Sequence, residues 1–333
     1  MSQQPYDPAV TGGFTVADGF SVIPPKRPTA VTLASAIMLA IAGLSGLGAL
    51  VLIVVEVLDN PDPGSVLQSV RFDLGLWLFL LAVGVAPCAL LVRNGSDGGR
   101  LATFTLLGIA TLSCFGNAMQ TLVELSGSID VAIVAVPLWL LAAALTVTPV
   151  VALASPAASR WFWEQRREVS IMDPAVAVPR PTMFTVGVAF VALTALLDIA
   201  AKAAYLALMF NTSGIDIATY YLGFFASSAA PLIAVLVATV GLAVRSDLAR
   251  VLAFGACGFY VYSGLRSQIG LVTNLDMYAI DVWFVVTFAL GLLAAVSSTV
   301  ALVALYRPQV SLWLGQNRFG VEPAGSASGD VHQ

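Results

Sequence analysis

Three ionisable residues stand well inside long apolar stretches of this sequence: Asp198, Lys202 and Arg266. A charge in such a stretch is costly to desolvate unless it is paired or faces water, so these three are the first place to look for chemistry. A carboxylate there can hold a cation or a proton, and an ammonium or guanidinium can hold an anion. Asp198 and Lys202 are four residues apart, where side chains meet on one helix face. Three amides, Asn117, Gln120 and Gln268, are the other strongly polar groups at comparable positions, and Asp130 and Asp281 stand at the openings of two apolar stretches.

Catalytic groups do not assemble around them. The single histidine, His332, is the next-to-last residue, which excludes histidine acid–base chemistry and histidine metal ligation within the apolar region. Cys88, Cys114 and Cys257 are odd in number and lie in apolar runs, as packing thiols do and a disulfide framework does not. There is no glycine-rich phosphate loop, no paired-aspartate motif and no Ser–His arrangement. The expectation is a protein that is not an enzyme, with no catalytic residue, no cofactor and no metal.

The elements that hold these residues follow from composition. Of 333 residues, 59% are hydrophobic and 10% charged, against about 45–50% and about 25% in soluble domains. The chain cannot hide its apolar residues inside a charged skin, so its partner is the lipid bilayer. Fifteen Lys and Arg against nineteen Asp and Glu leave a net charge of −4, which gives nucleic acid no basic surface to bind.

Eight stretches reach the roughly 20 residues a membrane helix needs: 29–58, 74–92, 101–123, 131–154, 182–210, 222–244, 251–272 and 282–305. Continuous apolarity, without alternation, selects helices over barrel strands. Twelve of the fifteen cations, among them Arg93, Arg100, Arg245 and Arg250, fall on one side. By the positive-inside rule that side is cytoplasmic and holds both termini of a multi-pass plasma-membrane protein. At 1.5 Å per residue, Asp198 is about 24 Å and Arg266 about 22 Å from that side. Such a shared level predicts an ion pair between them.

The stretches also repeat. Arg27-Pro28-Thr29 recurs as Arg180-Pro181-Thr182, Arg100, Phe104, Gly108 and Ser113 recur as Arg250, Phe254, Gly258 and Ser263, and Ile129-Asp130-Val131 recurs as Ile280-Asp281-Val282. Pro156, Ser159 and Trp161 recur as Pro308, Ser311 and Trp313, with every offset between 150 and 153. The fold expected is an all-α membrane protein of eight transmembrane helices, made of two tandem parallel four-helix repeats. Its parts are a disordered arm (1–27), repeat 1 (28–155), a linker (156–180), repeat 2 (181–306) and a tail (307–333). At the repeat-1 positions matching Asp198 and Arg266 stand Ser45 and Gly116, so both charges are absent together.

In the linker, Trp161, Trp163, Arg166 and Arg167 suit a short helix lying in the membrane interface, aromatic rings among the headgroups and cations near anionic lipid. The charge cluster has two readings. In the first, an Asp198–Arg266 lock fixes helix register in a non-enzymatic subunit or scaffold of a membrane complex, with other membrane proteins or a second copy as partners. In the second, Asp198, Lys202 and Arg266 line a cavity between the repeats of a small-solute or ion transporter, with Asp130 and Asp281 at its mouth. An intramembrane enzyme comes third, because the carboxylates lack complementary partners.

Overall fold

The computed structural model describes residues 26–60, 69–123, 129–169, 179–213, 218–273 and 282–319. Within these the chain is helical throughout, with no strand. The helices are α1 (Thr29–Asp59), α2 (Val70–Arg93), α3 (Asp97–Val123), α4 (Ile129–Ala154), α5 (Pro156–Val169), α6 (Thr182–Ser213), α7 (Ala218–Ala243), α8 (Asp247–Thr273), α9 (Val282–Tyr306) and α10 (Pro308–Phe319). Seven of them, α1 to α4, α6, α8 and α9, are long and apolar enough to cross a membrane, and the chain is a multi-pass helical membrane protein. In α7 the described apolar stretch is Ala229–Ala243.

Helices α3 and α8 are the least apolar and most buried of the seven, and they cross one another at the centre. Glycine allows the crossing: a methyl added at Gly108 would lie 2.3 Å from Cα of Gly255, closer than any real Cβ contact. Both central helices begin four residues earlier than their apolar stretches, at Asp97 and Asp247. An acidic residue in a first turn is stabilised by the helix dipole, and Ser96 Oγ accepts the backbone N–H of Gly99 at 3.2 Å as an N-cap.

The turns entering α3 and α8 close in the same way. Gly95 and Arg245 both take positive φ, at 81° and 63°. Ser96 N–H donates to Leu91 O and Gly95 N–H to Val92 O, while Ser246 N–H donates to Gly241 O and Arg245 N–H to Leu242 O. This is the paired bonding of a Schellman stop, which satisfies carbonyls left over at a helix end.

Beyond each central turn lies a buried arginine. Arg100 and Arg250, counted from sequence as loop cations, are only 6% and 4% exposed. Arg100 Nε donates to Leu153 O at 3.1 Å and Nη2 to Ser159 Oγ at 2.6 Å. Arg250 Nη2 donates to Leu305 O and to Ser311 Oγ, each at 2.7 Å. α4 and α9 stop at Pro156 and Pro308, which lack an N–H, and each guanidinium takes over an orphaned last-turn carbonyl. The two clusters are joined, since Ser311 Oγ donates to Asp97 Oδ2 at 3.1 Å and Arg100 lies 3.8 Å from Asp247.

The linker helix corrects an expectation. Trp161 and Phe162 of α5 are buried within the protein, stacked edge-on at 4.9 Å, with the Arg100 guanidinium 5.2 Å from the Phe162 ring. Trp163 packs against Gly315 of α10, and the buried Trp313 stacks on Phe184 beneath the Arg245 guanidinium. These rings pack into the arginine end of the bundle, Phe162 against the buried Arg100 guanidinium and Trp313 against that of Arg245. The side chains of Arg166 and Arg167 lie outside the described residues.

Candidate functional site

The end of the bundle opposite the arginine clusters is hollow. A cavity of about 990 Å³ is bounded by α1, α2, α3, α4, α6, α7, α8 and α9, at the upper limit of the roughly 300–1,000 Å³ typical of ligand pockets. Asp198, Lys202 and Arg266 all line it, together with Asn117 and Gln120. Three side chains singled out as a cluster and two singled out as intramembrane amides therefore share one space. The side chains of Asp130 and Gln268, and the whole of Asp281, lie outside the described residues.

The pairing within the cavity differs from expectation. Lys202 Nζ donates to Asp198 Oδ2, one turn away on α6, and the pair is largely buried. Tyr260 of α8 donates its hydroxyl to the same carboxylate oxygen at 2.9 Å. Arg266 turns elsewhere: its Nη2 donates to Asp73 Oδ2 of α2 at 2.6 Å, and Nη1 lies 3.5 Å from the Tyr262 hydroxyl. No Asp198–Arg266 lock forms, because a partner on the same helix face is already in place for Asp198 and Asp73 projects toward Arg266 from across the cavity mouth.

Asp73 escaped sequence reasoning because it stands just before the apolar run of the second stretch. α2 begins at Val70, which puts Asp73 in its first turn and Arg71 beside it. Trp77 lines the cavity and meets Tyr262 edge-on at 6.4 Å. Tyr260 and Tyr262 gave no sequence signal beyond being tyrosines on a span. Glu56, also overlooked, is buried near the end of α1, where its Oε1 accepts from Asn60 Nδ2 at 2.5 Å and Arg71 lies 3.9 Å away.

Two exposure patterns mark the cavity's rims. At one, the polar side chains of Asp73 and Arg266 are 59% and 62% exposed. At the other, Leu44 of α1 and Leu145 of α4 are 68% and 45% exposed. Within the walls, Ser113 Oγ and Thr287 Oγ1 are shielded and have no hydrogen-bond partner among the described residues. Shielded hydroxyls of this kind are satisfied when water or a ligand fills the space beside them.

The halves of the bundle are packed differently around this space. α6 packs chiefly on α9, whereas α1 packs chiefly on α2. Hydroxyls hold the α6–α9 seam: Thr194 Oγ1 lies 3.2 Å from both Ser297 Oγ and Ser298 Oγ, and Ser297 Oγ donates to Phe190 O at 2.9 Å. Counting back 153 residues from Thr194 gives Ile41, and counting back 152 from Ser297 and Ser298 gives Leu145 and Thr146. Thr146 bonds instead to Thr111 of α3, at 2.8 Å.

What these features define is a multi-pass helical membrane protein with a polar-rimmed internal cavity. No family model, no curated protein and no solved structure matches the chain.

Proposed function

We propose that this is an eight-span plasma-membrane protein built of two tandem parallel four-helix repeats, whose cavity binds a small solute for transport. The observation that carries the reading is the separate pairing of Asp198 and Arg266 on the walls of a large cavity. A subunit or scaffold held together by an Asp198–Arg266 lock loses its premise when neither residue meets the other. The exposed Asp73–Arg266 pair is exchangeable, since surface ion pairs are worth only about 0–1 kcal/mol, so either group can turn to a solute.

The repeat is supported by the matched Schellman stops, the matched arginine clamps and the central crossing. Gly108 meets Gly255, and Gly258 meets Thr105, so each helix offers the same two levels to the other. α7 supplies the eighth span. The concentration of arginine at the clamp end argues for a cytoplasmic location of that end and of both termini.

Thiol accessibility tests the reading. With Cys88, Cys114 and Cys257 replaced by Ala, single cysteines are placed at Gln120, Ser263 and, at the arginine end, Gln165. A membrane-impermeant, cationic methanethiosulfonate reagent added to intact cells should react at Gln120→Cys and Ser263→Cys. Gln165→Cys should react only in opened membranes. Absence of reaction at both cavity positions, in intact cells and opened membranes alike, would mean a dry cavity and remove the solute reading.

A further inference from the structure

We infer that the ligand of this cavity is a zwitterionic membrane amphiphile, a lipid with a phosphate and a quaternary ammonium in its head, which enters from the bilayer between α1 and α4. The inference rests on the cavity being a ligand site and adds what enters it and by which route.

The route is set by the apolar rim. Leu44 is 15 residues into α1, about 22 Å along its axis, and Leu145 is nine residues before the end of α4, about 14 Å from it. Both levels fall within the roughly 30 Å of hydrocarbon, where an exposed leucine faces acyl chains and not water. Both residues line the cavity, so its side wall opens to lipid at that height. The opening coincides with the seam of Ile41 and Leu145, the positions counted back from hydroxyls that hold α6 to α9.

The head is set by the polar rim. Each cation lining the cavity is matched by a carboxylate, Lys202 by Asp198 and Arg266 by Asp73, which gives no advantage to a ligand of net charge. The exposed guanidinium of Arg266 suits a phosphate, which it can bind through two parallel donors. Beside it, Trp77 and Tyr262 present aromatic rings and Asp73 a carboxylate, the combination that receives a quaternary ammonium. Ile41, Leu81 and Leu112 give the cavity an apolar wall against which an acyl chain can lie.

Full-length protein in phosphatidylglycerol nanodiscs, doped with phosphatidylcholine bearing a mid-chain diazirine, tests this on irradiation and peptide mapping. Adducts are expected inside the cavity, on the lining residues Ser113, Cys114 and Gly116 of α3 and Tyr260 and Ser263 of α8, resolved residue by residue from the outward, 39% exposed Phe115. Leu145→Trp, which fills the seam, should lower those adducts at least fivefold while leaving adducts on the lipid-facing Val237 and Val240 unchanged. If that variant fails to fold, Ile41→Thr with Leu145→Ser, which introduces a hydroxyl pair, should do the same.

Cavity adducts that are absent, or that ignore both variants, would overturn the route. Equal labelling by a diazirine phosphatidylglycerol would overturn the choice of head. Thiol reaction at Gln120→Cys and Ser263→Cys without lipid adducts would reject the amphiphile and keep a water-borne solute. The loss of both signals would reject the cavity as a ligand site altogether.

Discussion

At one end of the bundle Arg100 and Arg250 are buried, each bonded to a helix-end carbonyl and a serine, with Asp97 and Asp247 3.7 and 3.8 Å from Arg100 and Ser311 joining Arg250 to Asp97. At the other end Arg266 is mostly exposed, and it shares a cavity with Asp198 and Lys202 without touching either in an ion pair. The first end repeats one arrangement twice. The second differs between the halves in both charge and packing. A repeated, buried cluster fixes two helix ends and a turn in each half, whereas a cluster present once leaves groups that can change partners. Arginine is thus clamp or site according to whether its donors are already used by the backbone around it.

The comparison breaks most readily at the clamp. Arg100→Met strands the buried Asp97 and the Leu153 carbonyl and should cost about 3–5 kcal/mol in reversible unfolding in mixed micelles, whereas Arg250→Met takes a donor from the Leu305 carbonyl and Ser311 and should cost about 1–3 kcal/mol. A loss confined to one arginine would show that the matched clamps do unlike work.

The central crossing comes next. Gly108→Ala should cost about 1–3 kcal/mol by overpacking, because the obstructing atom is backbone and cannot rotate away. Gly43→Ala, with nothing within 4 Å of the new methyl, should be neutral or stabilising by up to about 1 kcal/mol through helix propensity. Equal effects at the two positions would contradict close packing at Gly108.

At the open end a double-mutant cycle separates the two ion pairs. Asp198→Ala should cost about 1–3 kcal/mol because Lys202 and the Tyr260 hydroxyl lose their acceptor, and this loss should be strongly non-additive with Lys202→Met. With Arg266→Ala it should add within about 0.5 kcal/mol. Coupling between Asp198 and Arg266 instead would restore the lock that the geometry lacks. The smallest effect belongs to the seam. Ile41→Thr with Leu145→Ser should change stability by less than about 1 kcal/mol, the scale of a hydroxyl bond between membrane helices.

Much of the fold is legible in the sequence, because continuous apolar length is enough to specify a membrane helix and offsets of 150 to 153 pair the residues of the two clamps. Boundaries were less legible. α2, α3 and α8 start four residues early, since first-turn aspartates read as loop residues on an apolarity scale. Of the site, the positions of Asp198, Lys202 and Arg266 stood out by charge alone. Their partners did not, because Asp73 belongs to another span and Tyr260 and Tyr262 carry no charge.

The amino-acid sequence by itself determined that this chain lies in a membrane, where its helices run, and which few charges are left inside. All three depend on local composition and spacing, which act before any helix meets another. Only the tertiary structure decided that Arg100 and Arg250 are clamps, that Trp161 and Trp313 are core, and that Asp198 and Arg266 face one cavity from separate pairs. Those outcomes depend on which helix a side chain meets, and that is fixed by the Gly108–Gly255 crossing and by hydroxyls present in one seam and missing from the other.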